Sequence, residues 1–139
     1  MTHKINRAEE SRRWWHEVLE TYLEDRSEPL NAQYWSPMDT WSRDRIRAVQ
    51  DEKIAAVAPF LYENSDFYRR RFDRLGVAPT DLTSVETLIA NWPVVTKQEM
   101  MEDALAHPPF GTYTTCGEAE WADRGWMHFS SSGSTGVPR

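Results

Sequence analysis

An α/β fold is expected, mostly helical over the first hundred or so residues, with a late strand leading into a Ser/Gly-rich loop. Three observations carry that expectation. Apolar residues recur at helical spacing behind recognisable caps through the first three quarters of the chain. Strand signal appears only late, in "GWMHFSSS". The last stretch, "HFSSSGSTGVPR" (residues 128–139), is crowded with hydroxyls and glycines as no other part of the chain is.

The elements follow in order. Asn6 with Glu9 suggests a capping box opening a first helix, whose apolar residues Trp15, Leu19, Tyr22 and Leu23 recur at helical spacing. Pro29 limits that helix, and "SEPLNAQYWSPMD" reads as an extended connector. A second, longer helix starts near Ser42, with Ile46, Val49, Ile54, Val57 and Leu61 on its apolar face. Pro59 lies inside that pattern and lacks the N–H that a helix interior needs, so a kink or an early end is expected there. A short helix follows from Ser65 in "SDFYRRRFDRLG", closed by Gly76. Thr83 with Glu86 frames "TSVETLIAN", and Thr96 with Glu99 frames "TKQEMMEDALA". "NWPVV" between them reads as an extended linker or edge segment, and "HPPFGTYTTCGEAE" as turn-rich. A strand at Trp126–Phe129 would have no obvious sheet partner in this chain and would expose unpaired backbone groups. The chain therefore reads as the opening of a larger domain.

Composition narrows the function classes. Of 139 residues, 40% are hydrophobic and 27% charged, which is globular rather than disordered. The seven tryptophans, among them Trp14, Trp15, Trp35 and Trp41, are expected to fill cores or interfaces. A net charge of -6 is poorly suited to nucleic acid or to anionic membranes. The lone Cys116 excludes an internal disulfide and a multi-cysteine zinc site, and a reducing, cytoplasmic setting is expected. The N-terminus shows no secretory h-region, and no run is apolar enough to span a bilayer.

"SSSGSTG" (Ser130–Gly136) suits a polyphosphate. Glycines let consecutive backbone N–H groups turn inward, and hydroxyls add donors. Gly133 and Gly136 are three apart with Val137 following, so this is neither a Walker A loop nor a dinucleotide fingerprint. Composition alone favours a flexible Gly/Ser linker. The apparent strand leading into the loop, and the text upstream, favour a phosphate site.

That text is specific. "SSGSTGVP" (Ser131–Pro138) resembles the phosphate-binding motif of the adenylate-forming enzymes, the acyl-CoA synthetase superfamily, and within it the phenylacetate–CoA ligase group. "LYENSDFYRRRFDRLGV" (Leu61–Val77), "WPVVTKQEM" (Trp92–Met100) and "PFG" (Pro109–Gly111) resemble further elements of that group, in the same order. The resemblance covers about residues 36–139, the start of an incomplete adenylation domain; residues 1–35 form an N-terminal helical extension without it. It implies ATP-dependent activation of an aryl or related carboxylic acid as an acyl-adenylate, then transfer to coenzyme A. Mg²⁺-ATP is implied, with coenzyme A as co-substrate. Ser131, Ser132, Gly133, Ser134, Thr135 and Gly136 would hold the β- and γ-phosphates, Thr135 foremost by its hydroxyl. The family usually has lysine after the second glycine, and here Val137 stands instead; Arg139 is the candidate to compensate. The family's catalytic lysine, magnesium-binding acid and acyl pocket follow this loop and are not placed on these residues. The partners implied are a small carboxylic acid and the remainder of the enzyme beyond Arg139, in the same gene product or as a second chain; self-association into a homo-oligomer stays open. Two alternatives stay open as well. One keeps adenylation but passes the acyl group to an amine, a carrier protein or another nucleophile. The other is a non-catalytic helical interaction module with a Ser/Gly tail.

The remaining constellations are read as structural. Arg69, Arg70 and Arg71 among aromatics suggest nucleic acid, but an amphipathic helix fits better, with Phe67, Phe72 and Leu75 in the core and the arginines solvated or paired. His3, His16, His107 and His128 lack metal-ligand spacing, so no metal site is expected on protein residues. Glu9 with Glu10, and Glu102 with Asp103, are adjacent acids that suit solvation.

Overall fold

The computed structural model describes residues 6–23, 29–117 and 122–123, and among them the regular structure is helical. The strand expected at Trp126–Phe129 and the Ser/Gly loop lie outside the described residues. Among the described residues five α-helices follow one another: α1 (Arg7–Thr21), α2 (Arg43–Asn64), α3 (Asp66–Leu75), α4 (Val85–Asn91) and α5 (Lys97–Ala106). Short 3-10 turns at Pro37–Thr40 and Pro79–Asp81 precede α2 and α4.

Helix α1 starts at Asn6, whose side-chain oxygen accepts from the Ala8 N–H at 3.2 Å rather than from that of Glu9. Its inward stripe is Ser11, Trp15, Val18 and Tyr22, at spacings of four, three and four. Trp15 and Tyr22 were expected on that stripe. Leu19 and Leu23 were too, but both are exposed, and Val18 takes the buried position between them at 4% exposure. A stripe one residue away satisfies the same period, and the partner surface decides between them.

That partner is α2, along which α1 packs. Ser42 caps α2, accepting from the Arg45 N–H at 3.2 Å. The helix runs through Pro59 to Asn64 and does not end early. Proline removes one N–H from the ladder, and contacts from α1 hold the turn beyond it. Trp15 stacks on Phe60 with centroids 6.2 Å apart, and the Arg12 guanidinium lies 5.5 Å from the Phe60 ring centroid. The Asn64 side-chain amide donates to the carbonyls of Phe60 (2.9 Å) and Ala8 (3.3 Å) and to Ser11 Oγ (3.2 Å).

Ser65 joins α2 to α3 directly. It ends one helix and caps the next, accepting from the Tyr68 N–H. The last carbonyls of α2 would otherwise lack partners, and Arg69 donates to those of Tyr62 and Glu63, both at 2.9 Å. Gly76 closes α3 with φ +66, a left-handed conformation that suits a residue without Cβ. The core gathers here: Ala58, Phe72 and Leu82, packed by Ile54, Tyr62, Val77, Leu88 and Trp92. Of the tryptophans expected in cores, Trp92 and Trp15 pack inward, whereas Trp14 and Trp35 are exposed.

Two caps differ in outcome. Helix α4 begins one residue later than expected: Ser84 and Thr87, not Thr83 and Glu86, form the capping box. Asp51 of α2 accepts the Val85 N–H at 2.8 Å and so fixes that register from outside. Thr96 and Glu99 form the expected box of α5. The linker "NWPVV" carries no strand between α4 and α5.

Candidate functional site

Ser131, Ser132, Gly133, Ser134, Thr135, Gly136, Arg139, Val137 and His128 lie outside the described residues. The described residues show a network of side-chain bonds that rests on three consecutive arginines of α3.

Successive residues on a helix point about 100° apart, so Arg69, Arg70 and Arg71 address three different elements. Arg69 holds the end of α2. Arg71, 3% exposed, reaches the linker and α5: its Nη1 lies 2.8 Å from Glu99 Oε1, and its Nη2 donates to the carbonyls of Pro93 (2.6 Å) and Val94 (3.2 Å). The guanidinium also lies 5.5 Å from the Trp92 ring centroid. Glu99 accepts in addition from the Thr96 N–H at 2.8 Å and the Thr96 hydroxyl at 3.0 Å. These bonds, the backbone one first, together with Arg71, hold its carboxyl down to about 2 from an ordinary 4.5, against the upward push of burial.

That shift gives a pH prediction. A carboxyl whose pKa falls on folding stabilises the protein fully above its unfolded pKa and loses the contribution as pH falls through the folded one. Stability should therefore decline as pH drops from 4.5 toward about 2, and Glu99→Gln should flatten that limb. Urea midpoints of both proteins across the range check it. Parallel curves would show that Glu99 is not the group responsible.

Arg70 turns to Asp103 of α5, Nη2 to Oδ1 at 2.8 Å. Asp103 was expected on a solvated face beside Glu102. Glu102 is exposed, but the Asp103 side chain is only 5% exposed. It is occupied by the segment after α5: Thr112 Oγ1 donates to Oδ1 at 2.8 Å, and the Thr112 N–H donates to Oδ2. Gly111 makes the approach feasible. Its φ is +75, and a Cβ there would meet Asp103 Oδ2 at 2.6 Å and the Tyr113 ring at 2.8 Å. The Thr112 carbonyl accepts from Ser65 Oγ at 3.0 Å and from the Phe67 N–H at 3.2 Å. Three residues on, the Thr115 carbonyl accepts from Arg12 Nη2 at 2.8 Å, and Arg12 also donates to Asn64 Oδ1 at 2.9 Å. The strap Gly111–Thr115 is thus fastened to α1, α3 and α5.

Sequence reasoning missed Asp103, Thr112, Asn64 and Arg12 as a set, because each finds its partner far along the chain. The only signal was the "PFG" turn beside an acid-bearing helix. A cleft of about 270 Å³ between α3 and α5 is lined by Arg70, Arg74, Glu102 and Ala106 among others; its charges are largely matched within the protein. Among the described residues no group of three His, Cys, Asp or Glu side chains could hold a metal, so Mg²⁺ is assigned to none of them. His16, His107 and Cys116 are exposed. No helix among the described residues is long and apolar enough to cross a membrane.

No family model matches the chain. It is similar to curated phenylacetate–coenzyme A ligases. That of Thermus thermophilus is 31% identical over 105 residues, 76% of this chain and 21% of the relative. That of Escherichia coli is 34% identical over 102 residues, 73% of this chain and 21% of the relative. The chain thus spans about a fifth of the length of these relatives. Among solved structures it is similar to 2-hydroxyisobutyryl-CoA ligase in the postadenylation state in complex with 2-HIB-AMP, with a TM-score of 0.69 and 30% identity, over 86% of this chain and 24% of that one. The same ligase with 2-HIB-AMP and CoA in the thioesterification state gives a TM-score of 0.63 at 32% identity, over 71% of this chain and 21% of that one.

Proposed function

Over three quarters of its length the chain is a relative of the phenylacetate–coenzyme A ligases, and on that premise we propose that it is the N-terminal part of an AMP-forming acid–CoA ligase. The observation that carries the reading is the agreement of sequence and fold, 31–34% identity to curated ligases over 73–76% of the chain and a TM-score of 0.69 to a ligase in complex with 2-HIB-AMP. Residues 36–139 open the adenylation domain, and residues 1–35 are an N-terminal extension whose helix α1 packs on α2.

The chemistry has two steps. A carboxylate oxygen of the acid attacks the α-phosphorus of ATP and pyrophosphate leaves, giving the acyl-adenylate. The coenzyme A thiolate then attacks the acyl carbon, AMP leaves, and a thioester forms. Ser131, Ser132, Gly133, Ser134, Thr135 and Gly136 hold the β- and γ-phosphates while charge develops on the departing pyrophosphate. Arg139 supplies the cation that Val137 does not. Mg²⁺ bound with the nucleotide would neutralise phosphate charge. The acid is aryl or related, and the partners are that small molecule, ATP, coenzyme A and the remainder of the enzyme, in the cytoplasm.

The test uses the full-length gene product with a panel of aryl and small hydroxylated acids. Acid-dependent pyrophosphate release is expected, with thioester formed only when coenzyme A is added. Thr135→Ala is expected to lower kcat on the order of 10²-fold, and Arg139→Ala to weaken ATP use. Absence of pyrophosphate release with every acid would overturn the reading. Unchanged ATP use by Arg139→Ala would remove that residue from the site.

A further inference from the structure

Helix α5 is built the wrong way round for a surface helix. A helix on the outside of a fold ordinarily turns its apolar stripe to the core and its charges to water. Here Glu99 and Asp103, one turn apart, face inward. Glu99 takes Arg71 and Arg74 of α3 at 2.8 and 3.3 Å, and Asp103 takes Arg70 at 2.8 Å. The Asp103 side chain is 5% exposed, whereas Leu105, about 200° further round the helix, is 70% exposed. Met101, one turn before Leu105, lies on the same side of the helix. Among the described residues the core cluster and everything packed on it come from residues 54–92, with no residue of α5. Two more apolar side chains stand exposed just before the helix: Ile89 of α4 at 76% and Val94 of the linker at 85%. Val94 gives its carbonyl inward to Arg71 and leaves its side chain in water. Single exposed apolar residues are ordinary on a surface. A helix with its charges inside and its apolar side outside is not, because each face then sits in its less favourable medium. That pattern suits a helix between two layers rather than one on the outside of a single layer.

The size of the surface selects its occupant. Three or four aliphatic side chains fall far short of the roughly 800 Å² per partner that a stable association of separate molecules buries. A layer carried by the same polypeptide meets no such threshold, since it gives up no free translation or rotation. The chain spans 21% of the length of its curated relatives, so a ligase of this kind has ample material for a second layer.

We infer that the outward side of α5, with Ile89 and Val94, is an internal docking face on which apolar side chains from the remainder of the ligase pack, so that α5 lies between the arginines of α3 and that second layer. The inference rests on the ligase reading given above, in which this chain is one part of a longer enzyme.

The test uses the full-length gene product and a maleimide, with labelling read by mass spectrometry on the peptide that carries residue 105. In the Leu105→Cys variant that position is expected to react at least about tenfold more slowly in the native protein than in urea, at every enzyme concentration tried. Leu105→Lys keeps a good helix former and places a cation in the last turn, where the helix favours one. It is expected to lower the thermal midpoint by about 4 °C, through lost burial alone. Native labelling as fast as in urea, or an unchanged midpoint, would show an open face and overturn the inference. Protection that is lost on dilution would place a second copy of the protein there and overturn it equally. Val94→Cys carries the same labelling test if Leu105→Cys does not fold. Wild-type enzyme that releases no pyrophosphate with any acid, while residue 105 of the variant stays protected, overturns the ligase reading and leaves the docking face standing; active wild type with residue 105 freely labelled overturns the inference alone.

Discussion

Phe72→Ala is expected to remove about 3–5 kcal/mol of stability. Phe72 is 1% exposed and is the largest side chain to be fully buried among the described residues. Its ring meets Tyr62 edge-on at 5.6 Å and Trp92 at 4.3 Å, between α2 and the linker that follows α4. Truncation removes the apolar burial and leaves a cavity that the surrounding helices cannot close, because Ala58 and Leu82 are held by their own elements. Equilibrium urea unfolding should show a lower midpoint with an unchanged slope. A loss below about 1 kcal/mol would mean that the cluster is loosely packed or is not the principal core.

Arg71→Ala should cost nearly as much, about 3 kcal/mol. The guanidinium is buried, and its removal strips donors from two linker carbonyls and from Glu99 together. Truncating one partner of a buried pair is costly chiefly because the other is left behind. Arg71→Met should recover part of the loss, since the aliphatic stem packs near Trp92 and only the polar bonds are gone. Urea unfolding of the two variants side by side measures the split. Equal losses for alanine and methionine would assign the whole effect to the hydrogen bonds.

Both positions lie in "FYRRRF", and that segment shows what a sequence makes legible. Its helix, its cap at Ser65 and its stop at Gly76 follow from neighbours within a few residues, and the structure agrees with each. The capping box of Thr96 and Glu99 is equally local. Non-local choices read less well. The stripe of α1 falls on Val18 rather than Leu19 because α2 selects the face. Helix α4 starts at Ser84 because Asp51, 34 residues earlier, takes the Val85 N–H. Asp103 looks like half of an ordinary acidic pair until Arg70, 33 positions before it, and Thr112 are brought alongside. The residues proposed to hold phosphate, Ser131–Gly136, were read from the motif and its upstream text, and they lie outside the described residues.

The bond from Arg12 to the Thr115 carbonyl joins positions 103 apart and makes the helical layer a closed circuit. The entropy of closing a loop grows only with the logarithm of its length, about 0.6 kcal/mol for each doubling, so so long a closure is little harder than one half its size. Its mechanical result is larger than its energy. A strain applied at the first helix is delivered directly to the Gly111–Thr115 strap, without passing through the helices between. The first helix is therefore a guy-rope on the Gly111–Thr115 strap rather than a loose appendage to the helices it packs against.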